Sequence, residues 1–309
     1  MIYVLHHADS DGRFGAYAAW KRFGAIFLTE ELIKANVHFF EVQYGQKFPL
    51  PIEELKKEDT VYIIDFSYDR EILDAVYGIV GKLVVLDHHA TAEKQLAGTP
   101  YGFFDKTKSG ALIAWEYFHP SAPVPGVCAY VNDYDLWKKE FGDRGTILEA
   151  WLQHERIGQD WNKWNRLTWD SGYFIQAMEK GEILHEHNTS IVNSFVKNEE
   201  NYVIGLLHEL DNPAVLSDNS YTVYNGNSIL RNEIAEALYT KYDLDLTIQW
   251  RVRTDKIVFS VRAPHPEKIA AHDFCAKFLN GGGNPKAGGA ALPLVEGFEV
   301  IRKLMAGSL

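Results

Sequence analysis

Short apolar runs alternate with amphipathic stretches over the first ninety residues. Residues 1–6 (MIYVLH), 37–42, 61–64 and 82–86 have strand length and are rich in β-branched and aromatic side chains. Between them, 13–23 and 69–80 repeat their apolar positions with a helical period. Strands alternating with helices predict βαβ units and a parallel sheet. Ligands of such sheets gather outside the carboxyl ends of the strands. Three of these strands stop abruptly in polar groups: His6-His7-Ala8-Asp9-Ser10-Asp11-Gly12, then Asp65, then Asp87-His88-His89. All three endings are therefore expected on one rim, with Gly12 permitting the tight turn into the first helix.

The pattern changes further along. Residues 107–117 read as a helix. A fourth apolar run, 127–131, ends in Asn132-Asp133-Tyr134-Asp135-Leu136-Trp137. It is taken here as another strand end on the same sheet. From 147 to 203 the spacing is mainly helical, and Trp151, Trp161, Trp164 and Trp169 are expected to pack the core. Strands are expected at 214–216, 221–224, 244–251 and 256–261, with helices at 229–239, 266–279 and 295–305. A glycine-rich run, Asn280 to Gly289, precedes the last helix. The predicted architecture is α/β throughout. A parallel-sheet domain spans 1–181, a connecting helix 182–203, and a smaller domain with a mixed sheet 204–309.

Composition narrows the partners. The 309 residues carry 42 acidic and 31 basic side chains, a net charge of −11. Long duplex nucleic acid is held largely by neutralising its phosphates, so it is a poor partner for this chain. A small phosphate substrate is not excluded, because bound cations can supply local positive charge. The two cysteines, Cys128 and Cys275, lie far apart with no CxxC. They read as buried small apolar residues in a reducing, cytoplasmic setting. No run of eighteen apolar residues and no secretion signal is expected, hence no membrane partner.

His7, Asp9 and Asp11 alternate along one extended segment and share a face. With Asp65, His88 and Asp133 they make two imidazoles and four carboxylates. Structural zinc prefers cysteine and histidine in a closed tetrahedron. A mixed, highly charged N/O set instead suits two divalent ions such as Mn²⁺ or Mg²⁺, with one carboxylate shared.

The same residues, in order, resemble the motifs of the DHH phosphoesterase superfamily: His7-Ala8-Asp9-Ser10-Asp11-Gly12, Asp65, Asp87-His88-His89 and Asp133. Gly281-Gly282-Gly283-Asn284-Pro285-Lys286-Ala287-Gly288 resembles the GGGHxxAAG signature of the DHH-associated C-terminal domain. The opening motif and Asp133-Tyr134-Asp135-Leu136-Trp137 are most similar to the branch of nanoRNases and cyclic-nucleotide phosphodiesterases. The resemblance implies two Mn²⁺ ions in a cleft between two domains. His7, Asp9 and Asp65 would hold one, and Asp11, Asp65, His88 and Asp133 the other. Asp135 competes with Asp133 for that place; Asp133 is preferred because it follows the apolar run directly. Asp87 would orient the neighbouring histidines, and His89 would steady the scissile phosphate or protonate the leaving group. Arg262 and the glycines would bind substrate phosphate. Asn284 departs from the signature, which has histidine there; it keeps hydrogen bonding but loses the charge.

These features lead to an expected cytoplasmic, Mn²⁺-dependent phosphodiesterase for short oligonucleotides or small nucleotide phosphodiesters. A pyrophosphatase or polyphosphatase would keep the metal site and change the substrate. A nucleotide-binding sensor would keep binding and lose turnover. The sequence is compatible with a homodimer.

Overall fold

The computed structural model describes residues 1–208 and 216–307. The chain divides into two compact units, Met1–His185 and Glu186–Leu309. In the first unit, β1 (Ile2–His7), β2 (Val37–Val42), β3 (Thr60–Ile64), β4 (Lys82–Asp87) and β5 (Gly102–Phe104) form one sheet in the order β2-β1-β3-β4-β5. Every pairing is parallel. Strand order reverses between β1 and β3, and an open α/β sheet leaves its ligand crevice at such a point.

Alternation along each strand explains why both faces are apolar. Val4, Ile64, Val84 and Leu86 join one core, and Leu5, Val61, Ile63 and Val85 the other. The first core is closed by α1 (Ser10–Phe27), α5 (Gly110–Phe118), α6 (Gly126–Asp135), α7 (Arg144–Glu155) and α8 (Trp161–Trp169). The second is closed by α3 (Arg70–Tyr77) and α4 (Ala90–Leu96), while the short α2 (Glu30–Asn36) leads into β2. Each fully buried Leu, Ile or Val contributes about 1.5–3 kcal/mol over its exposed state. This doubly covered sheet is the rigid base of the site. Trp151 and Trp164 are buried as expected, whereas Trp169 is half exposed. Its indole Nε1 donates to the Tyr17 hydroxyl at 2.9 Å.

One expectation fails here with consequences for the site. The apolar run 127–131 is not a strand: it lies within α6. The run is too short for its period to tell helix from strand. A second difference concerns the unit boundary. The long helix α9 (Ser171–Lys197) crosses the division between the units, and Tyr202 already begins a strand. Gly181, expected to end the first domain, sits inside that helix. A Cβ there would lie 2.4 Å from the Ile147 carbonyl oxygen, so this glycine allows α9 to approach α7.

In the second unit, β6 (Tyr202–His208), β7 (Leu216–Asn225), β8 (Leu246–Arg253), β9 (Lys256–Arg262), β10 (Gly282–Gly283) and β11 (Ala287–Pro293) pair in the order β10-β11-β9-β8-β7-β6. Only β7 and β8 run parallel, joined across α10 (Arg231–Tyr242); the sheet is mixed, as expected. Helices α11 (Ala271–Phe278) and α12 (Leu294–Met305) pack on one face. The strand expected at 214–216 lies outside the described residues except for Leu216, which opens β7.

Candidate metal centre

Local structure places each acidic side chain at the carboxyl rim of the first sheet. Asp9 caps α1: its Oδ1 accepts the Gly12 N–H at 3.0 Å, leaving Oδ2 at 2.6 Å from His7 Nδ1. Gly12 is needed because a Cβ there would fall 2.4 Å from the His7 carbonyl oxygen. Asp11, in the first turn of that helix, is buried and accepts the N–H groups of Gly110 (2.7 Å) and Ala111 (3.0 Å) at the start of α5. Asp65 follows β3 in the left-handed region, φ 57°, which aspartate tolerates better than branched residues. Such strain collects at functional sites.

Asp65 is the centre of the arrangement. Its Oδ1 is 3.1 Å from His88 Nε2 and 3.8 Å from His89 Nδ1, and its Oδ2 is 3.7 Å from His7 Nδ1. His88 Nε2 also stands 3.5 Å from Asp135 Oδ2 and 3.7 Å from Asp11 Oδ2. Three groups with metal-ligand spacing result: His7, Asp9 and Asp65; Asp65, His88 and His89; and Asp11, His88 and Asp135. Asp87 is fully buried, and its Oδ1 accepts the backbone N–H groups of His88 (2.7 Å) and His89 (3.1 Å). That oxygen also lies 2.8 Å from His89 Nδ1, a contact that fixes the ring.

Asp133, expected as a ligand, is in none of these groups, whereas Asp135 is in one. Its Oδ1 accepts the Glu140 N–H at 2.8 Å, tying down the turn after α6. On a helix, residues two apart point about 200° away from each other, so Asp133 and Asp135 cannot both face the rim. Asp135 continues the spacing of Val127 and Val131, a signal visible only if the run is read as helical. Tyr44 was also missed. It follows β2, whose last residue pairs with His7, so its position beside the rim follows from the strand register. Its ring lies 5.6 Å from that of His7, 5.9 Å from His89 and 4.8 Å from Phe66.

Electrostatics report how crowded the charges are. Burial opposes ionisation of Asp65, yet His7, His88 and His89 outweigh it and hold its carboxyl well below the usual range. Asp11 is pushed well above that range by burial, with Asp65 and Asp135 adding repulsion. Burial would drive protons off His7 and His88, but the carboxylates around them win and raise both well above the ordinary imidazole value. Two buried oxygens, Asp87 Oδ2 and Asp135 Oδ2, have no hydrogen-bond partner among the described residues; nor does His7 Nδ1 have one with hydrogen-bond geometry. Buried polar atoms are normally satisfied. Unpaired ligand atoms among convergent carboxylates and imidazoles fit one or more divalent cations.

The remaining expected residues lie in the second unit. Arg262 ends β9; its Nε donates to Asn232 Oδ1 at 2.9 Å and its Nη1 to the Val261 carbonyl at 2.8 Å. The glycines do not form an open loop. Gly282 and Gly283 are a short strand paired with Gly289 and Gly288, and Gly281 N–H donates to the Cys275 carbonyl at 3.0 Å. Asn284 Oδ1 accepts the N–H groups of Lys286 (3.0 Å) and Ala287 (2.7 Å), closing the turn between β10 and β11.

No family model matches the chain. Over 301 residues it is 23% identical to an uncharacterized protein of Acanthamoeba polyphaga mimivirus, covering 95% of this chain and 68% of the relative. Among solved structures it is similar to the DHH domain of a member of a ribosomal-protein family. That match has a TM-score of 0.63 and 14% identity, covering 100% of this chain and 87% of the other. It is also similar to RecJ in complex with Mn²⁺ from Thermus thermophilus, with TM-score 0.53 and 16% identity, covering 99% of this chain and 51% of that one. A third is a pGpG-specific phosphodiesterase from Vibrio cholerae, with TM-score 0.52 and 14% identity, covering 99% and 98% of the two chains. The class is thus a two-unit α/β protein with an acidic, histidine-bearing rim. The fold is the one these solved structures share, the DHH domain among them.

Proposed function

We propose that this chain is a divalent-metal-dependent phosphodiesterase that hydrolyses short oligonucleotides or small nucleotide phosphodiesters. The observation that carries the reading is the position of Asp65, whose two oxygens face His7 on one side and His88 on the other. His7, Asp9 and Asp65 would hold one ion. Asp65, His88, Asp11 and Asp135 would hold the second, with Asp135 in the place first expected for Asp133. The oxygen-rich set suits Mn²⁺ or Mg²⁺. When bound, such ions neutralise the carboxylates, polarise phosphoryl oxygens and lower the pKa of water.

The chain's own groups supply the rest. His7 and His88 must give up their protons to act as ligands, so metal affinity weakens as pH falls. Asp87 holds His89 through Nδ1, which leaves Nε2 for the substrate. Burial lowers the pKa of His89, but the Asp87 carboxylate more than offsets this and the net shift is upward. With a proton on it, Nε2 can donate to a phosphate oxygen or protonate the departing sugar oxygen. Arg262 is the second unit's candidate for a substrate phosphate. The exposed ring of Tyr44 at the rim offers a flat apolar surface to a nucleobase, which favours a nucleotide over inorganic polyphosphate.

A product assay tests this. The chain is incubated with Mn²⁺ and labelled dinucleotides, cyclic dinucleotides, adenosine bisphosphate and pyrophosphate. Mononucleotide release that stops with chelator is the expected result. Orthophosphate from pyrophosphate alone would overturn the substrate assignment. Tight dinucleotide binding without turnover in excess metal would overturn the enzyme assignment.

A further inference from the structure

The sequence pattern assigns Trp161 to the core; in the structure it is half-buried and lines a cavity instead. The cavity has a volume of about 210 Å³ and lies at β2, the edge strand of the first sheet. Trp20 from α1 and Phe39 from β2 give it two further aromatic walls. Their own neighbours hold these walls in place. The Trp161 ring lies 4.8 Å from that of Phe39 and 6.1 Å from that of His6, and Trp20 stacks on Tyr17 at 6.1 Å. Gln159, also on the wall, is fixed as well. His6 Nδ1 donates to the His7 carbonyl at 2.8 Å, so His6 Nε2 is left to accept the Gln159 amide at 2.9 Å. An apolar cavity of about 150 Å³ takes one benzene ring, whereas drug-sized ligands occupy about 300–1,000 Å³. The volume here therefore suits one flat, fused ring system.

The polar lining is unbalanced toward acceptors. Glu30 and Asp160 bring two carboxylates, against the single ammonium of Lys34. Glu30 Oε1 accepts the Asn162 amide at 3.0 Å, and its Oε2 lies 3.7 Å from Lys34 Nζ. Asp160 Oδ1 accepts the Lys163 N–H at 3.0 Å as the cap of α8. Among the described residues, no donor meets Asp160 Oδ2, Asn162 Oδ1 or Gln159 Oε1. Carboxylates and amide oxygens in excess call for a ligand that donates N–H groups. The excess negative charge disfavours one carrying phosphate. Flat bases stack on aromatic side chains, and guanine presents its N2 amine and the neighbouring ring N–H along one edge.

We propose that this cavity binds a guanine base, free or as its nucleoside, stacked on an indole with its N–H edge toward Asp160 and Glu30. None of the lining residues is a proposed metal ligand, so binding needs no divalent cation. The site stands whether or not the chain is a phosphodiesterase.

Calorimetry on the full chain with chelator present tests this, using guanosine, inosine, GMP, indole and tetramethylammonium. Guanosine is expected to bind, with inosine, which lacks the N2 amine, at least about fivefold weaker and GMP weaker than guanosine. Glu30→Gln with Asp160→Asn keeps the contact to Asn162 and the cap of α8, so the melting temperature holds, while guanosine weakens at least about tenfold. Trp20→Leu removes a wall and weakens guanosine and indole alike. Guanosine that does not bind at millimolar concentration overturns the proposal. So does an unchanged affinity in the folded carboxylate variant, which would place the base elsewhere on the chain. Indole as tight as guanosine would reduce the cavity to apolar filling, and tetramethylammonium tighter than guanosine would make it a cage for a cation; either result overturns the assignment.

Discussion

Gly110→Ala probes the centre without replacing a proposed ligand. Gly110 opens α5, and its N–H donates to Asp11 Oδ2 at 2.7 Å. An added Cβ would lie 2.4 Å from Asp65 Cβ, 2.8 Å from its Cγ and 2.9 Å from its Cα. Carbon atoms rest about 3.5–4.0 Å apart, so the two residues must separate by about 1 Å or more. Asp65 has little freedom to yield, because its N–H donates to the Leu86 carbonyl at 2.8 Å and its backbone is already left-handed. Overpacking of this kind costs about 1–3 kcal/mol. For a unit of this size that lowers Tm by roughly 2–12 °C. Displacing a shared ligand should cost about 10–100-fold in Mn²⁺ affinity, and a misplacement near 1 Å about 100-fold in rate. Mn²⁺ titration, kcat/KM on a dinucleotide and thermal melting read the three effects separately. Gly126→Ala at the start of α6 is the control, since a Cβ there meets nothing within 4 Å. A folded Gly110→Ala chain with wild-type Mn²⁺ affinity would refute the reasoning.

Two further perturbations separate roles that the sequence leaves together. Asp135→Asn should lower Mn²⁺ affinity about tenfold or more, while Asp133→Asn keeps an acceptor for the Glu140 N–H and should change it less than about threefold. A chelating-dye competition in which the two variants behave alike would contradict the placement of α6. In the second unit, buried Asp245 accepts the Ser220 N–H at 2.8 Å and the Lys268 ammonium at 2.9 Å. Burial raises its pKa, but Lys268 and Ser220 outweigh this and the folded value is depressed. Its contribution is therefore complete above the unfolded carboxyl pKa and is lost as pH falls through the lower folded value. Asp245→Ala should cost about 1–3 kcal/mol at pH 7 and less below about pH 3.5, followed by urea unfolding; a cost independent of pH would count against that ion pair.

The parallel sheet and its rim were legible because apolar strands that stop at His7, Asp65 and Asp87-His88-His89 have no packing use for those side chains. The run 127–131 was read as a strand because five apolar residues cannot distinguish a strand from a helix, and the choice of Asp133 over Asp135 depended on that distinction. Gly110 and Asp11 meet across ninety-nine residues, a contact no local pattern announces. The glycine run pairs as a strand because it has a partner in β11, and Asn284 is committed to that hairpin's turn rather than left free. Tyr44 lies in a loop with no period, and only the register of β2 on β1 carries it to the rim.

The central claim is that Asp65 joins two cation positions. Crystals of the full chain soaked in Mn²⁺ and measured for anomalous scattering test it most directly. Two peaks are expected, one touching His7, Asp9 and Asp65, the other touching Asp65, His88 and Asp135. A single peak away from Asp65, or none at saturating manganese, would contradict the account.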